Sequence, residues 1–135
     1  MLELILGTVF LIYLLFIGQL IYGFNRMRRF SKAEFIPKTS FSIVVPFRNE
    51  KENLPNLLHS ISLLNYPKEL VEVILVDDDS DDEFRIQNLE FRIQMIKNIR
   101  KSNSPKKDAI ETAIEIAKND WIITTDADCL VQKDW

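Results

Sequence analysis

The feature that most constrains this chain is an uncharged apolar run near its amino terminus, residues 4–24. At about 1.5 Å of rise per residue, a helix of that length covers roughly the 30 Å hydrocarbon core of a bilayer. A secretory signal peptide would begin with basic residues, carry a shorter apolar run and end in a small-residue cleavage site. Here Glu3 precedes the run and no A-x-A pattern follows it. We therefore predict a transmembrane anchor over residues 1–25, in preference to a signal peptide or a buried globular helix.

The segment after the apolar run is basic. Its charged residues are Arg26, Arg28, Arg29 and Lys32. By the positive-inside rule, this end of a single-pass anchor stays in the cytoplasm and the amino terminus lies outside. We expect residues 26–40 to form a basic juxtamembrane segment and linker, and residues 41–135 to form a cytoplasmic soluble part.

Charge and cysteine content narrow the classes of partner. The net charge is −3 at pH 7 and the pI is about 5.2, which argues against a nucleic-acid partner because such proteins carry a basic face. A single cysteine, Cys129, and a single histidine, His59, exclude an internal disulfide and a zinc site built from cysteine and histidine alone. A metal site would need oxygen ligands, as magnesium, manganese and calcium prefer.

The soluble part alternates between strand and helix patterns. Short apolar runs at residues 41–46, 71–77, 91–95 and 121–126 predict four strands. The second run is apolar almost throughout, as in a strand buried on both faces of a parallel sheet, and the third alternates as at an edge. Trp121 is expected in the core.

Three helices are predicted between these strands. Apolar residues recur at helical spacing after the first strand: Leu54, Leu57, Leu58, Ile61 and Leu64. The S-x-x-E pattern from Ser80 to Glu83 predicts a capping box opening a short second helix, with Asp81 and Asp82 in its first turn. Ser104 and Pro105 open the third, whose expected apolar face is Ile110, Ala113, Ile114 and Ala117. This order predicts an α/β fold with a Rossmann-like parallel sheet and flanking helices.

Clusters that contain polar or charged residues follow three of the four predicted strands, at residues 46–50, 77–79 and 126–128. In parallel sheets covered by helices, ligands bind at the carboxyl ends of the strands. We therefore expect these three clusters to share one edge.

Glycine usage decides which phosphate chemistry is possible. The three glycines, Gly7, Gly18 and Gly23, all lie in the apolar run, which excludes both the dinucleotide-binding glycine loop and the P-loop. A bound diphosphate would need another counter-charge. A divalent cation held by Asp126 and Asp128 could supply it, and so could Lys106 and Lys107 beside free helix N–H groups.

Four motifs occur in order: FSIVVPFRNE, VILVDDDSDD, SPKKDAI and TTDADCLVQKDW. Residues 41–135, which carry them, resemble the amino-terminal nucleotide-sugar half of family 2 glycosyltransferases, which have a GT-A fold. The resemblance implies transfer of a sugar, with inversion, from a nucleoside diphosphate sugar to the hydroxyl of a glycan or lipid-linked acceptor. It also implies Mg²⁺ or Mn²⁺ as cofactor.

The resemblance also implies roles for individual residues. Pro46, Phe47 and Glu50 would lie along the nucleotide, and Asp78 would accept a hydrogen bond from the base, typically uracil. Lys106 would face the phosphates. Asp126 and Asp128 would form the metal motif beside the diphosphate, with Asp128 the direct ligand. Pro105 departs from the family pattern, which has a glycine near this lysine.

The family's catalytic base lies in the acceptor half, well beyond the metal motif, whereas this sequence ends at Trp135. We therefore expect the amino-terminal part of a longer enzyme, which binds donor but does not transfer sugar. Two alternatives stay open: a non-catalytic nucleotide-binding remnant, and a receiver-like phosphoacceptor domain in which clustered aspartates hold magnesium. His59 is expected at the surface and Cys129 as a packing residue.

Overall fold

A computed structural model describes residues 1–27, 36–86 and 91–135. The chain divides into two compact units, Met1–Phe35 and Ile36–Trp135. Arg28, Arg29 and Lys32, three of the basic residues predicted to flank the membrane, lie outside the described residues.

In the first unit, the described residues form the helix α1, Leu2–Arg26. None of its residues is buried, and its length and apolar composition are sufficient to cross a membrane. Its polar side chains bond within the helix: the Thr8 hydroxyl donates to the Leu4 carbonyl at 2.8 Å, and Arg26 donates to the Tyr22 hydroxyl at 3.2 Å. These bonds reduce the number of unsatisfied polar groups that the helix would bring into an apolar phase.

The second unit is built on a four-stranded parallel sheet. Its strands are β1 Phe41–Phe47, β2 Val71–Asp77, β3 Arg92–Lys97 and β4 Trp121–Thr124, in the spatial order β3-β2-β1-β4. The predicted α/β fold with its parallel sheet is therefore confirmed. The two central strands are almost completely buried, whereas β3 and β4 lie at the edges and keep residues partly or fully exposed.

Two helices flank this sheet, α2 Leu54–Ser62 and α3 Pro105–Ile114, and a short 3₁₀ turn, Lys68–Leu70, precedes β2. The predicted apolar stripe of α2 is buried as expected and packs with Ile43, Val45, Phe47, Val73 and Leu75. Because strand side chains alternate between faces, the intervening Val44, Ile74 and Val76 form a second core with Ala109 and Ala113 of α3.

The apolar face predicted for α3 is partly wrong. Ile114 is half exposed, and the buried residues are Asp108, Ala109, Thr112 and Ala113. Small alanines let the helix approach the sheet closely. Asp108 and Thr112 are buried because their hydrogen-bond partners lie in the loop between β3 and α3.

The helix predicted after Ser80 is absent from residues 80–86, and residues 87–90 lie outside the described range. The physical reason is that this segment bonds to a neighbouring loop instead of to a helical turn of its own. The Ser80 hydroxyl accepts from the Asn49 N–H at 2.9 Å, and Asp82 accepts from the Lys51 N–H at 3.0 Å. Asp81 and Asp82 therefore do not begin a helix here.

Two further expectations were wrong. Trp121 is 67% exposed because it begins an edge strand, where only one side of the strand is paired. Cys129 is exposed in the turn after β4 and so is not a packing residue. His59 is exposed on α2, as expected.

Candidate functional site

The three polar clusters lie at the carboxyl edge of the sheet, which is the side on which the parallel strands end. They follow β1, β2 and β4, which are parallel neighbours, so their carboxyl ends meet there. By strand alternation, Pro46 lies on the face that packs against α3, whereas Phe47 lies on the face that packs against α2. Two groups of polar side chains lie along this edge: one follows β2 and β3, and the other follows β4.

Asp78 is the centre of the region after β2 and β3. Its residue is only 9% exposed, and its carboxylate forms a two-pronged ion pair with Arg100, whose Nε and terminal NH2 group each donate at 2.8 Å. Asn98 donates a third bond at 2.6 Å to the same oxygen that receives Nε. Hydrogen bonding from Arg100 lowers the pKa of the Asp78 carboxyl, even though burial acts in the opposite direction. The carboxylate is therefore ionised at neutral pH and can only accept hydrogen bonds.

Sequence reasoning did not find Arg100 or Asn98. Both directly follow β3, so the strand-end argument that located the other clusters applies to them as well. A basic residue after β3, opposite an aspartate cluster, was the available signal.

The region after β4 brings together two candidates that the sequence placed twenty residues apart. The Lys106 ammonium lies 2.5 Å from the nearer carboxylate oxygen of Asp126, and both side chains are largely exposed. Ala127 is buried between two exposed aspartates, and the Cys129 N–H closes a turn by donating to the Asp126 carbonyl at 3.2 Å. This turn presents the carboxylates of Asp126 and Asp128 to solvent.

Asp126 and Asp128 are suited to Mg²⁺ or Mn²⁺ by donor type. Such ions are often held by one or two carboxylates together with substrate phosphates. Within residues 1–27, 36–86 and 91–135, no three histidine, cysteine, aspartate or glutamate side chains are grouped to hold a metal ion. The two carboxylates therefore fit a cation that arrives with a phosphate ligand, in which case Lys106 would turn from Asp126 to the phosphate.

Phe47 and Glu50 are placed differently from the other predicted nucleotide residues. The Phe47 side chain is 5% exposed in the core under α2, and its carbonyl accepts from the Asp78 N–H at 2.8 Å. Glu50 is part of the entry to α2: its carboxylate accepts from the Asn53 amide at 2.6 Å, and its carbonyl accepts from the Leu54 N–H at 3.0 Å. The structure therefore does not bring the Phe47 side chain to the edge.

The loops after β1 and β2 are fastened to one another by an interloop clasp, formed by Asn49, Lys51 and Ser80–Asp82. Besides the bonds to Ser80 and Asp82, the Asp81 N–H donates to the Asn49 side-chain oxygen at 2.8 Å. Asn49 and Asp79 have φ values of 56° and 65°, in the left-handed region that asparagine and aspartate tolerate better than most residues. The Asp77 carboxylate accepts from the Ser80 N–H at 2.9 Å. The clasp therefore holds the loop after β1 against the loop that contains Asp78.

Comparison with known proteins places this chain in a family. The family described as glycosyl transferase family 2 matches residues 42–135, which is more than half of the chain. Human polypeptide N-acetylgalactosaminyltransferase 10 is 31% identical over 107 residues, covering 76% of this chain and 17% of the human protein. The Staphylococcus aureus poly(ribitol-phosphate) β-N-acetylglucosaminyltransferase TarS is 26% identical over 105 residues, covering 70% of this chain and 17% of TarS.

Solved structures agree with the sequence matches. The structure of S. aureus TarS residues 1–349 with UDP has a TM-score of 0.57 at 26% identity, covering 71% of this chain and 29% of TarS 1–349. TarS 1–349 has also been solved with UDP-GlcNAc. A mannosyltransferase from Pyrobaculum calidifontis, in complex with GDP-Man and Mn²⁺, shares the fold at a TM-score of 0.55 and 20% identity, covering 70% of this chain and 29% of that one.

The chain spans about one sixth of the length of these curated relatives. The matched region contains all four strands, both flanking helices and the three polar strand ends of the carboxyl edge. The family match and the parallel sheet agree, and the chain belongs to glycosyl transferase family 2.

Proposed function

We propose that residues 41–135 bind a nucleoside diphosphate sugar, UDP-linked, as the donor for metal-assisted, inverting transfer of the sugar to an acceptor hydroxyl. One observation carries this proposal: a buried, ionised hydrogen-bond acceptor and an exposed lysine–carboxylate pair lie at the same edge of the sheet. The first suits the N–H of a base and the second suits a diphosphate. One relative, S. aureus TarS 1–349, has been solved with UDP and with UDP-GlcNAc, and this supports the choice of ligand.

The base would bind at Asp78. Its pKa is lowered, so it offers lone pairs and no proton, and it selects a base edge that carries an N–H group, as N3 of uracil does. Arg100 and Asn98 leave one carboxylate oxygen with a single strong donor, so an acceptor position stays open for the ligand. Pro46, at the neighbouring strand end on the same face, would lie beside the ribose, followed by Glu50 at the entry to α2.

The diphosphate would bind at the β4 end of the edge. Lys106 lies in the first turn of α3, where backbone N–H groups and the helix dipole favour an anion. Asp126 and Asp128 would hold Mg²⁺ or Mn²⁺, with Asp128 as the direct ligand, and the ion would supply Lewis-acid stabilisation of the leaving diphosphate. Lys106 adds a charge-assisted hydrogen bond where negative charge develops on the leaving group. We assign no residue of this chain to deprotonation of the acceptor hydroxyl.

The proposed donor site is tested by isothermal titration of the full chain, in detergent micelles, with UDP and MnCl₂. We expect binding with one UDP per chain. Lys106→Met should weaken it about tenfold, because a hydrogen bond to a charged group is lost. Lys107→Met is the matched control, since Lys107 approaches Glu111 at 3.5 Å and not Asp126, and it should bind nearly as the unaltered chain does. Absence of heat for the unaltered chain would contradict the proposal.

We further propose that α1 anchors the protein in a membrane with the second unit in the cytoplasm, close to a glycan or lipid-linked acceptor. The length and composition of α1 support the anchor, and Arg26 with the basic residues after it supports the orientation. No nucleic-acid partner is proposed for this acidic chain.

The single cysteine provides a test of the orientation, because Cys129 is exposed in the second unit. In intact cells that express the chain, a membrane-impermeant maleimide should leave Cys129 unlabelled, whereas lysed cells should show labelling. The chain should also stay in the membrane pellet after alkaline carbonate extraction. Labelling in intact cells would reverse the proposed orientation, and release by carbonate would remove the anchor.

A further inference from the structure

Asp108 is a buried carboxylate that the proposed donor site does not use. It lies in the first turn of α3 and is only 1% exposed. Its side chain faces the β3–α3 loop, residues 98–104, and accepts three hydrogen bonds there. The Lys101 and Ser102 N–H groups donate to one carboxylate oxygen at 2.9 and 2.7 Å, and the Ser102 hydroxyl donates to the other at 2.7 Å.

Thr112, one turn further along α3, fastens the preceding part of the same loop. Its hydroxyl donates to the Asp108 carbonyl at 2.8 Å and accepts from the Ile99 N–H at 3.2 Å. The Asn98 amide donates to the carbonyl of Pro105, the first residue of α3, at 3.1 Å. Residues on both sides of Arg100 are therefore bonded to α3.

Arg100 itself bonds in the other direction, to Asp78 across the loop. A guanidinium can pair with a carboxylate at two points only when its backbone holds the planar group at the correct distance and angle. The backbone of Arg100 is set by its fastened neighbours, Ile99 and Lys101. The loop therefore couples the position of the Arg100 guanidinium to the position of α3.

We propose that Asp108 is a positioning residue for nucleotide recognition, which acts through the β3–α3 loop to hold Arg100 and Asn98 against Asp78. This inference rests on the proposed function, since it concerns the base side of the same site. Hydrogen bonding from Ser102 lowers the pKa of the Asp108 carboxyl, so the acceptor is ionised at neutral pH. The ionised form is the one that can accept from all three donors at once.

Two ligands, UDP and inorganic pyrophosphate, can distinguish a local effect on the base side of the site from a general loss of structure. UDP would use both the Asp78 side and the Lys106–Asp126 side of the edge. Inorganic pyrophosphate with Mn²⁺ would use only the second. A change that loosens the β3–α3 loop should weaken UDP binding and leave pyrophosphate binding unchanged, whereas unfolding of the domain should weaken both.

The test is titration of Asp108→Asn, in the full chain in detergent micelles, with UDP and separately with pyrophosphate, both in MnCl₂. We expect UDP to bind about tenfold more weakly. The asparagine side chain has one acceptor oxygen, whereas the Asp108 carboxylate accepts from three donors, two of them backbone N–H groups. Pyrophosphate affinity should change less than twofold. Glu111→Gln is the matched control: it removes the same charge from an exposed position of the same helix and should leave UDP binding unchanged.

Two further variants connect the effect to the loop. Ser102→Ala removes one of the three donors to Asp108 and should weaken UDP binding in the same direction by a smaller factor. In an Arg100→Ala background, Asp108→Asn should produce a smaller additional loss than in the unaltered chain, because Arg100 is absent and only Asn98 remains to be positioned. Equal UDP affinity in the unaltered chain and Asp108→Asn, equal losses for UDP and pyrophosphate, or additive losses with Arg100→Ala would each overturn the inference. Failure of the unaltered chain to bind UDP would overturn it together with the proposed function.

Discussion

Asp78→Asn is expected to weaken UDP binding by about 30-fold or more, because it removes the charge of a buried carboxylate that is hydrogen-bonded to Arg100. The substitution keeps the shape of the side chain. It replaces one acceptor oxygen by an amide N–H₂ group, which would face either the Arg100 donors or the N–H of the base. The loss should be of similar size with and without MnCl₂, since Asp78 is proposed to contact the base and not the cation. Isothermal titration with UDP under both conditions measures it.

The neighbouring aspartate supplies the control for that result. Asp79→Asn removes the same charge one residue away, at a position whose φ of 65° asparagine also accepts. We expect UDP affinity to change less than threefold in this variant. A loss in Asp79→Asn equal to that in Asp78→Asn would show that the net charge of the loop, and not the Asp78–Arg100 pair, governs binding.

Asp128→Asn is expected to abolish the dependence of UDP affinity on Mn²⁺. In the unaltered chain, MnCl₂ should strengthen UDP binding about tenfold or more, as expected when a divalent cation bridges carboxylates and phosphates. Without Asp128 the affinity measured in MnCl₂ should fall to the metal-free value, and the metal-free value itself should not change. Titration of UDP at several MnCl₂ concentrations gives both quantities for each variant.

Two variants, one before and one after β4, serve as controls. Asp120→Asn removes the same charge just before β4, at the opposite end of that strand, and should leave the Mn²⁺ dependence intact. Cys129→Ser changes the thiol whose sulfur lies 3.9 Å from Asp128 and should also leave it intact, because manganese prefers oxygen ligands. If Asp78→Asn instead removed the Mn²⁺ dependence while Asp128→Asn weakened metal-free binding, the division of the edge into a base side and a phosphate side would be wrong.

The parallel sheet and the edge that carries the site could be predicted from the sequence because periodicity reports burial directly. The apolar residues of α2 recur at helical spacing, the runs of β1 and β2 are apolar almost throughout, and most of these residues are buried as expected. Parallel pairing then requires the ends of β1, β2 and β4 to meet. The meeting of Lys106 and Asp126 follows from that geometry together with the position of α3.

Hydrogen bonds between distant loops could not be predicted in the same way. The S-x-x-E pattern at Ser80 is a sound local signal for a helix, but Asn49 offers Ser80 and Asp81 partners that are more than thirty residues away in sequence. The burial of Asp108 could not be predicted for the same reason. A charged residue in the first turn of a helix is expected to be exposed unless the loop that surrounds it is known. Arg100, by contrast, follows β3, so its place at the carboxyl edge is predictable from the strand order alone.

The aspartate cluster after β2 shows how tertiary contacts separate residues that look equivalent in sequence. Asp77 closes its own turn by accepting from the Ser80 N–H, Asp78 pairs with Arg100, and Asp82 holds the loop after β1 through the Lys51 N–H. Only Asp78 among these three combines burial with a partner from the β3–α3 loop. Two of the five carboxylates in the cluster therefore hold loop backbone, and Asp78 is the one proposed to recognise the base.

The strand order also acts as a ruler for the ligand. Asp78 follows β2 and Asp126 follows β4, and β1 lies between these two strands. Neighbouring strands are about 4.8 Å apart, so the two strand ends that carry Asp78 and Asp126 lie roughly 10 Å apart along the edge. In the proposed complex, a ligand with its base at Asp78 must cross β1 to reach Lys106, so this distance sets the minimum length of a molecule that can touch both ends.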